Sequence, residues 1–323
     1  PHGDTDHVRY QRAVSGGCGT VTIDGREYEL LDSNFPTVHR EEPLALTDAE
    51  NELMSVLENS FMHSERLNSH IRFLYSKGSM YKAMNGNLLF HGCIPLDEEG
   101  RLQSVTIAGV EYSGKALLDK LDEIANRAYF MQPGAEKDYA ADYMWYLWSG
   151  ARSPLYGKDK MAFFERYFLA DKELQKENYN AYYHYSEQAE VCGRILEMFG
   201  LDPERGHIIN GHVPVKIKNG EKPVKAGGRL FVIDGGISKA YQKATGIAGY
   251  TLIYDSHSLN LAEHRQFIAG ESEHTPEIHL VERLDRRANI SDTDKGAELL
   301  EQINDLRELL RAYRSGEIKE SGR

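Results

Sequence analysis

The sequence predicts a mixed α/β fold, of the layered α+β kind, in which a sheet is covered by helices. Short apolar runs that end on glycine, such as residues 228–236 (GRLFVIDGG), are typical of buried strands. Amphipathic segments with helical spacing lie between these runs. The chain has 323 residues, 41% of them hydrophobic and 27% charged, which is enough to bury a large core.

The first elements are a hairpin and two helices. Residues 19–31 alternate between apolar and polar positions, and Asp24-Gly25 supplies a tight turn. Thr47 and Glu50 have the spacing of a capping box, which predicts the start of a helix. A second helix is expected to end at Gly78. Apolar residues recur at helical spacing after the capping box, at Leu53, Met54, Leu57 and Phe61.

A long helical region follows the apolar strand at 87–90. It includes an amphipathic helix over 113–130, an aromatic-rich helix over 136–149 and a helical stretch over 158–170. The buried face of the first of these is expected to consist of Leu117, Leu118, Leu121, Ile124 and Ala125.

The last part of the chain alternates between one helix, three strands and a final helix. The helix ends at Gly200, and the strands are expected at 207–211, 228–236 and 248–256. An amphipathic helix over 292–313 is predicted to cap the domain or to pair with a second subunit, so a homo-oligomer is one expectation.

Charge and cysteine content exclude several classes of protein. With 38 basic against 50 acidic residues and a net charge of −12, the chain has no electrostatic footprint for nucleic acid or anionic lipid. Its three cysteines are too few and too scattered for a disulfide framework, which favours the reducing cytoplasm. No apolar run approaches the length of a membrane span.

Two histidines occur in matching contexts. His91 follows the strand in NLLFHGCIPL (87–96), and His212 follows the strand in IINGHVPV (208–215). Each has a neighbouring glycine, which lets a metal or a phosphate approach the backbone closely. Imidazole nitrogen is a good donor for transition metals. The residues alone leave a structural role and a metal-ligand role equally open.

A resemblance decides between these roles. NLLFHGCIP is similar to the His-Gly-Gly turn of the calcineurin-like metallophosphoesterases, and INGHVPV resembles their later histidine turn. YLWSG (146–150) resembles the Leu-Trp-Ser segment between those turns. Together with SPLYGKDKMAFFERYF and LFVIDGGISKAYQKATGIAGYTLIYDS, these segments resemble the class III fructose-1,6-bisphosphatases of bacteria, from about Gly19 to beyond residue 280.

The resemblance implies a metal-dependent phosphatase. It implies that fructose 1,6-bisphosphate is hydrolysed to fructose 6-phosphate in gluconeogenesis, with manganese or magnesium activating the attacking water. His91 and His212 would be metal ligands. The early motifs of the superfamily, which carry the bridging aspartate and the general acid, have no match here. HGDTDH at 2–7 is only superficially similar, because no strand precedes it and no Gly-Asn-His follows it.

Because the early motifs are missing, we expect the C-terminal half of a metallophosphoesterase β-sandwich flanked by helices, inactive without its N-terminal half. In this interpretation 1–18 is the remnant of a preceding segment, and 19–290 is the half-domain with a helical insert at about 113–200. The stretch 291–323 is then a helix and tail.

Basic residues on loops are candidates to hold the sugar bisphosphate. Arg152, Lys158 and Lys239 flank segments that carry the resemblance, and guanidinium and ammonium groups bind phosphate. Asp234 ends its strand and is a candidate to orient His212 as a hydrogen-bond acceptor, although an ordinary turn aspartate is equally compatible. No catalytic group is assigned within the chain.

Three alternatives remain open. A protein serine/threonine phosphatase or a dinucleotide polyphosphate hydrolase would share both histidine turns, although the long helical insert argues against these compact folds. A non-catalytic remnant that keeps the fold and acts as a binding module is the third.

Overall fold

The computed structural model describes residues 19–39, 41–236, 238–246, 249–265 and 275–319. The segment HGDTDH therefore lies outside the described residues, as do Cys18 and the side chain of Lys239. The described residues fall into two compact units. One consists of the described residues up to Tyr81 together with 91–185, and the other of 82–90 together with the described residues from Ser186 onward. The domain limits expected from the sequence stay predictions.

Helices and short strands alternate along the described ranges. The strands are β1 (Thr20–Ile23), β2 (Arg26–Glu29), β3 (Tyr81–Met84), β4 (Asn87–Phe90), β5 (Val105–Ile107), β6 (Val110–Tyr112), β7 (His207–Asn210), β8 (Val224–Lys225), β9 (Leu230–Val232), β10 (Gly249–Tyr254), β11 (Ser258–His264) and β12 (Glu277–Arg283). The helices are α1 (Asp48–Met62), α2 (Glu65–Lys77), α3 (Gly114–Phe130), α4 (Ala135–Ser149), α5 (Phe163–Phe168), α6 (Tyr182–Tyr185), α7 (Ala189–Met198), α8 (Lys239–Thr245) and α9 (Asp294–Ser315). The predicted mixed α/β class is confirmed.

In the first unit, the predicted β1–β2 hairpin is confirmed. Ile23 pairs with Arg26, and Asp24 and Gly25 between them both have positive φ, at 50° and 77°. Two positive φ values are the signature of the type I′ turn, whose twist matches that of the strands. The hairpin packs on the α5 region, where a core cluster joins Val21, Ile23, Phe164 and Leu169.

Helix α3 buries the face that its periodicity predicts. Leu117 and Leu121 are fully buried, and Leu118, Ile124 and Ala125 are also buried. Tyr129 near the end of α3 stacks on Tyr75 of α2, with ring centroids 4.5 Å apart. The helical stretch expected over 158–170 is shorter in the structure, because only Phe163–Phe168 forms a helix. That part of the prediction was wrong, since Lys158 instead makes a bridge with Tyr179.

Helix α1 begins as predicted, but it buries none of its apolar residues. The capping box is present, because Glu50 N donates to Thr47 Oγ1 at 3.3 Å and Thr47 N donates to Glu50 Oε2 at 2.8 Å. Its apolar residues nevertheless remain in water, and Leu53 is 58% exposed and Phe61 65%. Capping therefore stabilises the start of a helix whose apolar residues are not buried by the part of the chain that the structure describes.

The second unit contains a five-stranded sheet in the order β3-β4-β7-β9-β8. The central strands β4, β7 and β9 run parallel, with Leu89 opposite Ile209 and Ile209 opposite Phe231. All four residues of β7 are buried. Helix α7 lies against β7 and buries an apolar face that includes Ile195 and Leu196, as a parallel sheet requires.

A three-stranded antiparallel sheet, β10-β11-β12, completes the strands of this unit. The strand expected at 248–256 is confirmed as β10, whereas β11 and β12 were not predicted. His207 Nε2 of β7 lies 2.8 Å from Glu282 Oε2 of β12 and connects the two sheets.

Helix α9 starts against the turn between β3 and β4. Asn85 N donates to Asp294 Oδ2 at 2.8 Å, and Asp294 N donates to Asn85 Oδ1 at 3.1 Å. The predicted helix is confirmed, and its apolar stripe is exposed, with Leu306 at 64%. Among the described residues, no helix is both long and apolar enough to cross a membrane.

We expect Leu121→Ala and Leu53→Ala to lower the free energy of unfolding by different amounts, although the chemical change is the same. Leu121 is fully buried in α3, so truncation leaves a cavity and should lower the free energy of unfolding by about 2–5 kcal/mol. Leu53 is exposed on α1, so the same change should cost less than about 0.5 kcal/mol. Urea denaturation of both variants measures this, and equal losses would contradict the exposure of α1.

Candidate metal-ligand turns and the loop beside them

The His91 turn, in the first unit, is an exposed imidazole on an anchored loop. His91 is exposed, and the five residues after it, 92–96, are all buried. A Cβ atom at Gly92 would lie 2.3 Å from the carbonyl oxygen of Pro154. Cys93 N donates to that same oxygen at 2.9 Å. Gly92 is therefore required because the backbones approach too closely for a side chain.

The loop that receives the turn is itself held by a buried serine. Ser153 is fully buried, and its hydroxyl donates to the carbonyl oxygen of Leu147 in α4 at 2.7 Å. The Ser153 hydroxyl oxygen also accepts hydrogen bonds from Leu155 N at 3.2 Å and from Tyr156 N at 3.3 Å. The segment that resembles Leu-Trp-Ser therefore leads directly into the loop that fixes the His91 turn.

Arg152 lies on this loop, two residues before Pro154. Its φ is 65°, in the left-handed region that non-glycine residues seldom adopt. Its side chain is exposed, and Nη1 donates to the carbonyl oxygen of Ser104 at 3.2 Å. The structure thus brings Arg152 and the His91 turn onto one pair of packed loops, and the role of Arg152 in binding phosphate stays a prediction.

Tyr146 connects α4 to the same loop. A Cβ atom at Gly150 would lie 2.3 Å from the Tyr146 ring. The Tyr146 hydroxyl is buried without a hydrogen-bond partner among the described residues, and burial raises its pKa while the charge of Arg152 opposes the rise. The ring lines a cavity of about 290 Å³, together with Tyr139, Asp142 and Tyr143.

Cys93 next to the turn is not suited to act as a nucleophile. It is 1% exposed, and burial raises the pKa of its thiol to about 12. A thiol with this pKa stays protonated at neutral pH, and the protonated form neither attacks nor binds metal well. Its role is to pack the loop.

Lys158 is held in a network within the first unit. Its Nζ lies 2.7 Å from Glu177 Oε2, over the rings of Tyr156 and Tyr179 at 5.6 and 5.4 Å. Arg166 lies 3.1 Å from the same carboxylate, whose side chain is 6% exposed. This network uses the Lys158 ammonium group to neutralise a buried acid. The substrate-binding role predicted for Lys158 is untested.

His212, in the second unit, is the central residue of a strained turn. Its φ is 68°, and Val213 N donates to the carbonyl oxygen of Gly211 at 2.8 Å. A hydrogen bond between the residues on either side of a central residue with positive φ defines the rare and strained form of the γ-turn. Such strain persists only where the surrounding structure holds it, and it is concentrated at functional sites.

Two backbone hydrogen bonds, one before His212 and one after it, connect the His212 loop to the strand end at Asp234. Val215 N donates to the carbonyl oxygen of Asp234, and Ile233 N donates to that of Asn210, at 2.8 and 2.9 Å. The Asp234 carboxylate accepts from Gly236 N at 2.8 Å and so closes its own turn. Its predicted contact with His212 is untested, as is the role of Lys239, which begins α8.

The two histidines follow neighbouring parallel strands of the sheet. His91 directly follows β4, and His212 lies two residues beyond β7. Among the described residues, no group of three or more His, Cys, Asp and Glu side chains could hold a metal ion. Two imidazoles alone are too few donors for manganese or magnesium, which need oxygen ligands as well. The described residues therefore supply at most part of a metal site.

Comparison with known proteins shows the family. A model of the Firmicute fructose-1,6-bisphosphatases matches residues 4–315. The chain belongs to this family. Among curated members named fructose-1,6-bisphosphatase class 3, that of Clostridium botulinum strain Alaska E43 is 52% identical over 98% of this chain and 48% of its own length. Those of Clostridium acetobutylicum and Clostridium beijerinckii are 49% and 48% identical, each over 99% of this chain and 49% and 50% of their own.

This family member spans about half the length of the curated relatives that it matches. No solved structure matches the chain significantly. The resemblance read from the histidine turns is confirmed at the level of the bisphosphatase family. The comparisons do not test the individual site residues.

Sequence reasoning located both histidines but missed what positions them. Ser153, Pro154 and Tyr146 lie in segments that carry the family resemblance, but no positioning role was predicted for them. The one available signal was Gly92, because a glycine after a candidate ligand indicates a close approach.

We expect Tyr146→Phe and Tyr156→Phe to differ in their effect on the free energy of unfolding. Both rings are buried, but the Tyr146 hydroxyl lacks a partner among the described residues, whereas Tyr156 donates to the Lys160 carbonyl oxygen at 2.8 Å. Removing the first hydroxyl should leave the free energy of unfolding unchanged or higher, and removing the second should lower it by about 1 kcal/mol. Denaturant titration measures both, and a loss at Tyr146 as large as that at Tyr156 would contradict this geometry.

We expect Glu177 to contribute stability that disappears in acid. Burial tends to raise the pKa of Glu177, but hydrogen bonds from Lys158 and Ala162 and the nearby charge of Arg166 outweigh it, and the net pKa is lowered. A lowered folded-state pKa means that the contribution is present above the ordinary glutamate pKa, about 4.3, and is lost as the pH falls below it.

Glu177→Gln should therefore lower the melting temperature at pH 7, and the deficit should shrink towards pH 3. The matched control is Glu173→Gln, at an exposed position of the same segment. Thermal unfolding followed by circular dichroism across this pH range measures both variants. A deficit for Glu177→Gln that does not change with pH would show that its carboxylate charge is not what stabilises the fold.

Proposed function

We propose that this chain is the part of a fructose-1,6-bisphosphatase that supplies two histidine ligands to its metal site. The observation that carries the proposal is the family match over residues 4–315, which includes both histidine turns. The parallel pairing of β4 and β7 supports it, because ligands of open α/β sheets bind beyond the carboxyl ends of such strands. The reaction would be hydrolysis of fructose 1,6-bisphosphate to fructose 6-phosphate and phosphate, in the cytoplasm.

In this proposal the metal is manganese or magnesium, which, when bound, supplies an activated water and neutralises phosphoryl charge. The role of this chain is to present two imidazole side chains as ligands. His91 is held by the packing of Gly92 against Pro154, and His212 by the strained γ-turn. The oxygen ligands and the general acid would come from outside these 323 residues, which is consistent with a match to 48% of a relative's length.

The second phosphate of the substrate needs a cation away from the metal. Arg152 is the best candidate among the predicted residues, because its guanidinium is exposed on the loop that clamps the His91 turn. A planar guanidinium can bind two phosphate oxygens at once. Lys239 remains a second candidate, and Lys158 is the weaker one because Glu177 already holds its ammonium group.

The test compares this chain with the full-length protein. We expect the full-length protein to release phosphate from fructose 1,6-bisphosphate in the presence of manganese, and the 323-residue chain alone to release none. Equilibrium dialysis of the chain with manganese should show weak binding at best. Tight binding of two ions by the chain alone would contradict the proposed division of ligands.

Variants of the full-length protein identify the ligands. His91→Asn and His212→Asn should each lower kcat by about a hundredfold or more. Mutating a residue that only hydrogen-bonds to a metal ligand already lowers metal affinity or activity about 10–100-fold. Both should also reduce bound manganese measured by mass spectrometry. His279→Asn is the matched control, because His279 is an exposed histidine on β12 that lies 3.7 Å from Glu277. Full activity in either ligand variant would remove that histidine from the site.

A further inference from the structure

The first unit carries an exposed aromatic surface next to the loop that holds His91. Trp145 and Trp148 of α4 are 50% and 52% exposed, and their rings meet edge to face at 4.9 Å. Phe163 at the start of α5 is 43% exposed, and its ring lies 6.4 Å from that of Trp148. We call Trp145, Trp148 and Phe163 the aromatic face.

This surface is unusual for a chain with so few tryptophans. The sequence contains two, and both lie here with about half of each side chain in water. A tryptophan side chain buries roughly 150–250 Å² when it is covered, so each of these leaves on the order of 100 Å² uncovered. Clustered exposed aromatic residues mark interaction sites, and tryptophan dominates the energy of protein interfaces.

The aromatic face adjoins the loop of Ser153 and Pro154 that holds the His91 turn. We call this loop the clamp. Trp148 is followed by Ser149 and by Gly150, which packs against the Tyr146 ring. Three residues later comes Ser153, whose hydroxyl donates a hydrogen bond to the carbonyl oxygen of Leu147. Leu147 directly precedes Trp148 in α4. The face and the clamp are thus parts of the same helix end.

We propose that the aromatic face is the docking surface for the ligand-bearing segment of the same polypeptide. The inference rests on the proposed function, in which oxygen donors from outside these residues complete the metal site. These oxygen donors and the His91 imidazole must bind the same metal ion, and each must lie about 2 Å from it. The segment that carries them therefore passes beside the clamp and can cover the adjoining aromatic rings.

The amount of polypeptide available is sufficient for this role. The C. botulinum relative matches this chain over 48% of its length, so the other half lies outside the match. A segment that docks on the face would present apolar side chains to the rings and its carboxylate and amide donors towards the histidine. An apolar contact of this kind suits the three rings, which are 50%, 52% and 43% exposed.

Hydroxyl-radical footprinting read by mass spectrometry tests the proposal. The full-length protein and the 323-residue chain are oxidised under the same conditions, and oxidation is measured at each aromatic residue. We expect oxidation of Trp145, Trp148 and Phe163 to fall severalfold in the full-length protein. Tyr179, which is 50% exposed in the same unit, is the internal control and should change little. Equal oxidation of the face in both proteins overturns the proposal, as does an equal fall at Tyr179.

A pair of variants separates docking from a general effect on folding. Trp148→Glu places a charge in the proposed contact, whereas Trp148→Phe keeps it apolar. In the full-length protein, Trp148→Glu should lower the melting temperature more than Trp148→Phe does. In the 323-residue chain the difference in melting temperature between the two variants should be smaller, because about half of the side chain is in water there. A difference of the same size in both proteins overturns the proposal.

The outcome is distinguishable from that for the proposed function. Phosphate release from fructose 1,6-bisphosphate is measured on the same full-length preparation. Hydrolysis without protection of the aromatic face overturns the docking surface and leaves the function standing. Protection without hydrolysis supports the docking surface and removes the bisphosphatase assignment.

Discussion

The candidate site depends on one close approach between two backbones. The Pro154 carbonyl oxygen occupies the space that a side chain at residue 92 would need, and it accepts a hydrogen bond from Cys93 N at 2.9 Å. This contact joins the His91 turn to the loop after α4, which are far apart in the sequence. The exposed His91 imidazole, the Arg152 loop and the packing around Tyr146 all depend on it. A protein can present a polar group to water in a fixed place only if the backbone beneath it is rigid.

The second histidine is held by a different device. His212 has a strained backbone and lies between two hydrogen bonds to the Asp234 strand end, whereas His91 depends on packing against another loop. Strain of this kind costs on the order of 1–3 kcal/mol, which the surrounding sheet must compensate. The central parallel strands, with β7 fully buried, supply that support. Local rigidity at both turns thus comes from the buried sheet and from the loop packing of the first unit.

Sequence patterns predicted the elements that have strong local signals. The β1–β2 turn, the capping box of α1 and the buried face of α3 follow from residue types a few positions apart. Strand β12 was missed because its side chains are mostly exposed and charged residues interrupt the alternation. The helix expected over 158–170 is limited to Phe163–Phe168, and Lys158 before it makes a bridge with Tyr179 instead. The apolar residues of α1 recur at helical spacing, as the sequence indicated, but periodicity alone does not reveal whether a partner surface is present.

The link between Asn85 and Asp294 ties the last helix to the strand that carries His91. Asn85 belongs to the turn that starts β4, and its two hydrogen bonds to Asp294 fix the first turn of α9 at that point. Strand β4 is only four residues long, so the position of its first residue largely determines where its last residue points. The C-terminal helix thus serves as an anchor for the register of β4. Loosening its first turn would free the start of β4 and weaken the pairing of that strand with β7 in the centre of the sheet.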